Sequence, residues 1–172
     1  LGLAVLLSAV LGGCASPQSP LGYYWQSVTG HVQVLRAARP VPDWLGPDVT
    51  ARLAAAGVLT LWRHQVSALD AVAAGHNVVV ATGTGSGKSL IYQAAAAAIL
   101  GADPRATAIY LAPTKALGHD QAKSLAWTGL RIGVLDGDTP AEEREWIAAH
   151  AQVIITNPDM LGISMLPRHR RW

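Results

Sequence analysis

Apolar residues in this chain recur in two alternating rhythms: short unbroken runs, and longer stretches spaced three or four apart. Val78 to Val80, Ala106 to Pro113, Leu130 to Gly137 and Gln152 to Asn157 are runs of the first kind, and each reads as a strand, the first of them buried. Leu61, Val66, Leu69 and Val72 fall at near-helical intervals within LTLWRHQVSALDAVAAG, and His76-Asn77 ends that segment in a turn. Asp48 to Ala56 predicts a short helix stopped by Gly57. Ser89 to Leu100 predicts a helix with alanine on most faces, able to pack close to a sheet and broken by Gly101 to Pro104. Lys115 to Trp127 and Pro140 to Ala149 predict two more helices. The second begins at Thr139, with Glu142 completing a Thr-x-x-Glu capping box. Strands alternating with helices of about ten to fifteen residues predict an α/β fold built on a parallel, doubly wound sheet.

Composition changes the picture mainly at the N-terminus. The chain has 172 residues, is 51% hydrophobic and carries a formal charge of only +2, so bulk charge does not argue for a nucleic-acid partner. No acidic residue precedes Asp43, which sets the earlier residues apart. The single cysteine, Cys14, excludes an internal disulfide and a multi-cysteine metal site, so a metal would arrive with a nucleotide. Leu1 to Leu11 is apolar but shorter than the roughly 20 residues that span a bilayer, and small residues and a Ser/Pro/Gln segment follow. Leu11-Gly12-Gly13-Cys14 resembles a bacterial lipoprotein box, in which the cysteine is lipidated. A buried N-terminal strand or helix with an incidental cysteine is the alternative. The following LGYYWQSVTGHVQVLRAARP resembles the start of a family of bacterial lipoprotein aminopeptidases. None of that family's metal or catalytic motifs follows, so no peptidase activity carries over. Tyr23, Tyr24 and Trp25 read as an aromatic packing cluster, and Pro40, Pro42 and Pro47 mark a junction.

The chemistry concentrates in VVVATGTGSGKSLIYQ, a glycine-rich turn after one strand and before a helix. Backbone N–H groups from Gly83 to Lys88 can surround an anion, and the helix N-terminus adds partial positive charge. The cradle comprises Thr82, Gly83, Thr84, Gly85, Ser86, Gly87, Lys88 and Ser89. Lys88 would reach the β and γ phosphates of ATP as the catalytic cation, and the Ser89 hydroxyl would ligate Mg²⁺. Glycines at 83, 85 and 87 permit positive φ and leave room for phosphate. The strict GxxxxGK[ST] pattern asks for glycine where this chain has Thr82.

Three further motifs carry a resemblance. TGTGSGKS, APTKAL at Ala112 to Leu117 and TNPDM at Thr156 to Met160, with LWRHQ ending at Gln65 ahead of the loop, resemble the first RecA-like domain of a superfamily 2 DEAD/DEAH-box helicase. The likeness is to bacterial DEAH-box helicases and covers residues 43–172, after a signal-like segment at 1–14 and a linker or unrelated segment at 15–42. It implies that Gln65 reads the adenine edge, which its amide can do by donating and accepting. It implies too that Pro113, Thr114, Lys115, Thr156 and Asn157 lie along a DNA or RNA backbone, contacts that carry no base sequence. Lys115 could equally be a solvated surface lysine. Gly137-Asp138-Thr139 occupies a position that similar proteins keep beside the bound strand, yet it also makes a good turn and N-cap by itself. Asp159 reads as a cap or turn, and the basic RHRRW as a solvated end or a phosphate contact.

The same resemblance implies an Asp-Glu pair on a later strand and a second RecA-like domain, and no Asp-Glu dipeptide occurs in the 172 residues. The expectation is an incomplete sheet with open edges that binds ATP without turning it over. A cytoplasmic helicase part also conflicts with a lipoprotein-like leader, which predicts a fusion with its junction near Arg39 to Trp44 and membrane contact only through Cys14. Another P-loop ATPase, such as a secretion motor, and a non-catalytic lipoprotein fragment are the alternative functions.

Overall fold

The computed structural model describes residues 3–7, 37–83 and 85–171, with side chains left aside for 3–7 and 169–171. Cys14, the aromatic cluster from Tyr23 to Trp25 and Thr84 therefore lie outside the described residues. The chain divides into two compact units, Leu1–Ala9 with Ala96–Trp172, and Val10–Ala95.

The first unit is an α/β layer structure around a parallel sheet, as the alternating pattern predicts. Strands β1 (Leu3–Leu7), β4 (Thr107–Leu111), β5 (Ile132–Leu135) and β6 (Val153–Thr156) lie in the order β1-β4-β6-β5. Every neighbouring pair is parallel. Of the leader-like segment, only this apolar stretch is described, and its backbone pairs with β4 from Leu3 opposite Thr107 to Leu7 opposite Leu111. Strand β6 is buried along its whole length, as expected of a strand with neighbours on both sides and layers above and below.

Helices cover both faces for a topological reason. The chain passes from β4 through α4 (Lys115–Ser124) out to β5, then back through α5 (Ala141–His150) to β6. Right-handed crossovers running in opposite directions place their helices on opposite faces. Register puts Ile109, Ile154 and Gly133 on one face and Tyr110, Ile155 and Val134 on the other. The first face forms a core with Ile147 of α5, Ala151 and Met165. The second receives α4 at Gly118, where a Cβ would sit 3.3 Å from Ile155 Cγ2. Beyond β6 the chain continues in consecutive helical turns, Pro158–Met160, Leu161–Met165 and Leu166–Arg171.

The second unit holds α1 (Gly46–Ala55), the two-residue antiparallel pair β2 (Ala38–Arg39) and β3 (Leu61–Trp62), α2 (Arg63–Ala73) and the glycine loop. The helix after the loop, α3 (Lys88–Ala102), begins here. Val49 and Leu53, one turn apart, are the buried stripe of α1. That helix closes as expected at Gly57, with Val58 N–H returning to the Leu53 carbonyl at 2.8 Å. The same turn geometry recurs after α2, where His76 N–H reaches Ala71 O at 3.0 Å.

Three expectations change. Val78 to Val80 is not a strand, and Val79 is 94% exposed. An apolar run becomes a buried strand only where a ladder partner takes its N–H and C=O groups, and among the described residues none pairs with it. Leu61, counted with the helical spacing, lies instead in β3 and pairs with Arg39 of β2, and α2 starts at Arg63. Thr139 does not cap α5. The N-cap is Pro140, and the Thr139 hydroxyl turns back to accept Asp136 N–H at 2.9 Å.

Close approach of α5 to β5 rests on Gly133, where a Cβ would fall 2.7 Å from Ile147 Cγ1 and 2.9 Å from Cγ2. Overpacking of this kind costs about 1–3 kcal/mol. Gly133→Ala is expected to lower the unfolding free energy of the purified protein by that amount, read as a lower urea midpoint at unchanged slope. Adding Ile147→Val should recover part of the loss, a non-additivity that urea titration of the single and double variants measures directly.

Candidate functional site

In the Val10–Ala95 unit, the glycine loop is held in place from the start of α2. Gln65 is the third residue of that helix and only 2% exposed. Its amide oxygen accepts Trp62 N–H at 2.7 Å, the backward reach of an N3 glutamine in a capping box. Its amide nitrogen donates to Gly87 O at 2.9 Å. Gly87 has φ +75°, a conformation that favours glycine, and a Cβ there would meet Gln65 Nε2 at 2.5 Å and displace the amide from its bond. Gly85 is likewise left-handed at φ +72°. Gly83, where glycine would also permit that conformation, is not among the left-handed positions.

Lys88 folds over the loop, its ammonium donating to Thr82 O at 2.7 Å and Gly83 O at 2.6 Å. Thr82 needs no left-handed backbone, and its hydroxyl shares a 2.6 Å hydrogen bond with Ser86 Oγ. Threonine at this pattern position thus ties the loop across its width. Ser89 lies in the first turn of α3, next to Lys88. His64 Nε2 lies 3.1 Å from Ser86 O. Nothing in the sequence pattern singled it out.

The Ala96–Trp172 unit assembles a second constellation at the C-terminal ends of its strands, where parallel sheets place their ligands. Thr114, Lys115, Asp136, Thr156 and Asn157 line one narrow crevice there, with exposed Pro113 beside Thr114. The Thr114 hydroxyl caps α4, accepting Leu117 N–H at 3.3 Å. Asn157 Oδ1 caps the turn that follows β6, accepting Met160 N–H at 2.8 Å. Asp159 sits within that turn and is not its cap. Thr156 is buried, and its hydroxyl donates to Leu135 O at 2.7 Å, joining the ends of β5 and β6.

The Asp136-Gly137-Asp138-Thr139 loop is tied more heavily than a turn motif alone suggests. Asp136 Oδ1 accepts Asp138 N–H at 2.9 Å and the Thr139 hydroxyl at 3.2 Å. Arg144, on the first turns of α5, donates Nε to Thr139 O at 2.7 Å and Nη2 to Asp136 O at 3.1 Å and Gly137 O at 3.3 Å. Lys115 pairs with Asp138 at 2.5 Å, and His119 Nε2 faces Asp136 Oδ2 at 3.5 Å. Burial by itself would raise the Asp136 pKa. The Asp138 N–H, the Thr139 hydroxyl and the charges of Lys115 and His119 outweigh it and hold this carboxyl below the ordinary range. The bond to Asp138 raises Lys115. Asp136, Arg144 and His119 were not among the expected site residues. The D-G-D-T turn pattern could have pointed to Asp136, whereas Arg144 meets the loop only through the packing of α5.

A family profile described as DEAD/DEAH box helicase matches residues 62–171. Over 119 residues the chain is 44% identical to the ATP-dependent helicase HRQ1 of Saccharomyces cerevisiae, covering 64% of this chain and 11% of that protein. Over 140 residues it is 36% identical to the uncharacterized ATP-dependent helicase YprA of Bacillus subtilis, covering 78% of this chain and 19% of YprA. The crystal structure of the DUF1998 helicase MrfA bound to DNA superposes with a TM-score of 0.76 at 34% identity, covering 80% of this chain and 19% of MrfA. The MrfA structure bound to DNA and AMPPNP gives a TM-score of 0.74 at 36% identity, covering 80% of this chain and 20% of MrfA. The chain thus spans between a tenth and a fifth of the length of these proteins.

The Asp136 loop makes a pH prediction. A folded-state pKa below the unfolded value adds stability that is present above the unfolded pKa and is lost as pH falls through the folded one. Asp136→Asn is expected to cost about 1.5–3 kcal/mol at pH 7, the scale of hydrogen bonds to a charged group. The gap to the parent should narrow below about pH 4, as the unfolded-state carboxyl protonates. Urea titrations at pH 7 and pH 3 measure both limbs.

Proposed function

This chain belongs to the DEAD/DEAH box helicase family, and from that premise we propose that it carries the ATP-phosphate cradle and part of the nucleic-acid face of a helicase motor domain. The observation that carries the reading is the braced loop. Gln65 holds Gly87, Lys88 lies across the loop carbonyls, and α3 begins at once beyond. The residues fit a polyphosphate. Phosphate oxygens are stronger acceptors for an ammonium than the carbonyls of Thr82 and Gly83, so Lys88 would exchange one set for the other. Ser89, adjacent to it, supplies a hydroxyl for the Mg²⁺ that accompanies ATP. Gln65 keeps one amide hydrogen and one oxygen lone pair beyond its two described bonds, and an adenine edge would take them. ATP supplies the free energy that the complete motor converts into movement along a strand.

On the strand-end crevice, Lys115 and the first amides of α4 are the phosphate contacts, with Thr114 fixing the helix start and Pro113 and Asn157 flanking it. Thr156 serves by holding the strand end. MrfA is described bound to DNA, which makes single-stranded DNA the first ligand to test here. A second RecA-like domain would supply the rest of the cleft.

Two measurements check this reading. Lys88→Ala should weaken ATP binding at least tenfold in a fluorescent-nucleotide titration with Mg²⁺, and equal affinity in the two proteins would sink the cradle assignment. Lys115→Ala should weaken single-stranded DNA uniformly across sequences and reduce the slope of log affinity against log salt by about one.

A further inference from the structure

The second and third residues of α2 point at successive carbonyls of the phosphate loop. His64 Nε2 lies 3.1 Å from Ser86 O, and Gln65 Nε2 lies 2.9 Å from Gly87 O. A carbonyl oxygen only accepts, so the His64 hydrogen bond requires the imidazole hydrogen on Nε2. A trans peptide is planar, with its C=O and N–H on opposite sides. Drawing Ser86 O toward α2 therefore turns Gly87 N–H the other way, and drawing Gly87 O toward α2 does the same for Lys88 N–H. Those two amides belong to the set that a phosphate cradle presents.

The brace has little slack. A Cβ on Gly87 would overlap Gln65 Nε2 at 2.5 Å, and Gln65 is itself tied to Trp62 N–H at 2.7 Å. Gly87, left-handed at φ +75°, can rotate about its neighbouring peptides more freely than any other residue type. Gln65 restrains the peptide after Gly87. The peptide before it, between Ser86 and Gly87, is the one that His64 restrains.

We infer that His64 is a positioning residue for the nucleotide phosphates: its Nε2–H fixes the Ser86–Gly87 peptide plane and so aims Gly87 N–H into the cradle. This rests on the ATP reading above and assigns a role within it to a residue other than the loop itself and Gln65.

The test compares nucleotides that differ in phosphate count, measured on the whole chain. His64→Leu should weaken ATP and ADP about tenfold while leaving AMP within about twofold, because a misaimed loop amide affects only ligands whose phosphates reach it. His64→Gln places an amide donor at similar reach and should restore ATP affinity to within about threefold of the parent. Equal losses for AMP and ATP, an unchanged ATP affinity in His64→Leu, or no rescue by His64→Gln would overturn the inference. Should His64→Leu fail to fold, the parent protein decides. Long-range ¹⁵N–¹H spectra of its histidines at pH 8 should show the Nε2–H tautomer at His64, and the Nδ1–H tautomer there refutes the proposal. Lys88→Ala separates the two levels. If it binds ATP as tightly as the parent, the cradle reading fails and this inference with it. If it loses ATP while the His64 variants do not, only the role of His64 fails.

Discussion

The shape of the glycine loop depends on one buried amide. Gln65 joins the N-terminal turn of α2 to Gly87, accepting from Trp62 with its oxygen and donating to the loop with its nitrogen. A glycine-rich segment loses more conformational entropy on ordering than any other, so such a loop keeps one shape only where something outside it holds its peptides. Here the side chains that do so come from a helix more than twenty residues earlier in sequence. The threonine that replaces the first pattern glycine contributes in the same sense, through its hydroxyl bond to Ser86. Binding of ATP by such a loop would therefore owe less to glycine content than to the fixed direction of its amides.

The strand-end crevice is organised on the opposite principle. There the central group is charged: Asp136 gathers an N–H and a hydroxyl around itself with Lys115 and His119 nearby, and Arg144 closes the loop from behind through three carbonyls. A loop cross-linked in this way presents Asp138 to Lys115 with little freedom to reorganise. The proposed function makes Lys115 a contact for a nucleic-acid phosphate. The ion pair with Asp138 means that a phosphate would compete with a carboxylate for it. Exposed ion pairs are worth little in water, so that competition is a shallow one.

Much of this was legible in the residue order. The runs at β4, β5 and β6 and the spacing of the helices between them predict the parallel sheet. Once strand order is known, the handedness of crossovers places α4 and α5 on opposite faces. The glycine loop between an apolar run and an alanine-rich helix is legible for the same reason: its chemistry is made by backbone groups whose availability follows from local residue type. The apolar run Val78 to Val80 shows where such reasoning stops. Its composition predicts a buried strand, and yet Val79 stands exposed, because burial is a property of the neighbours a run acquires.

The sequence by itself determined most of the local features: the three runs that become β4, β5 and β6, the helices between them, and a glycine-rich turn ahead of α3. Only the tertiary structure decided what holds those features in a working orientation. For Gln65 the resemblance implied an adenine contact, and only the folded chain shows its amide bracing the loop. His64 and Arg144 carried no signal of their contacts, and Thr139 looked like a helix cap while its hydroxyl turns inward. Residue type and spacing specify what a side chain can donate or accept. Which carbonyl or amide it finds is set by the packing of elements that are distant along the chain.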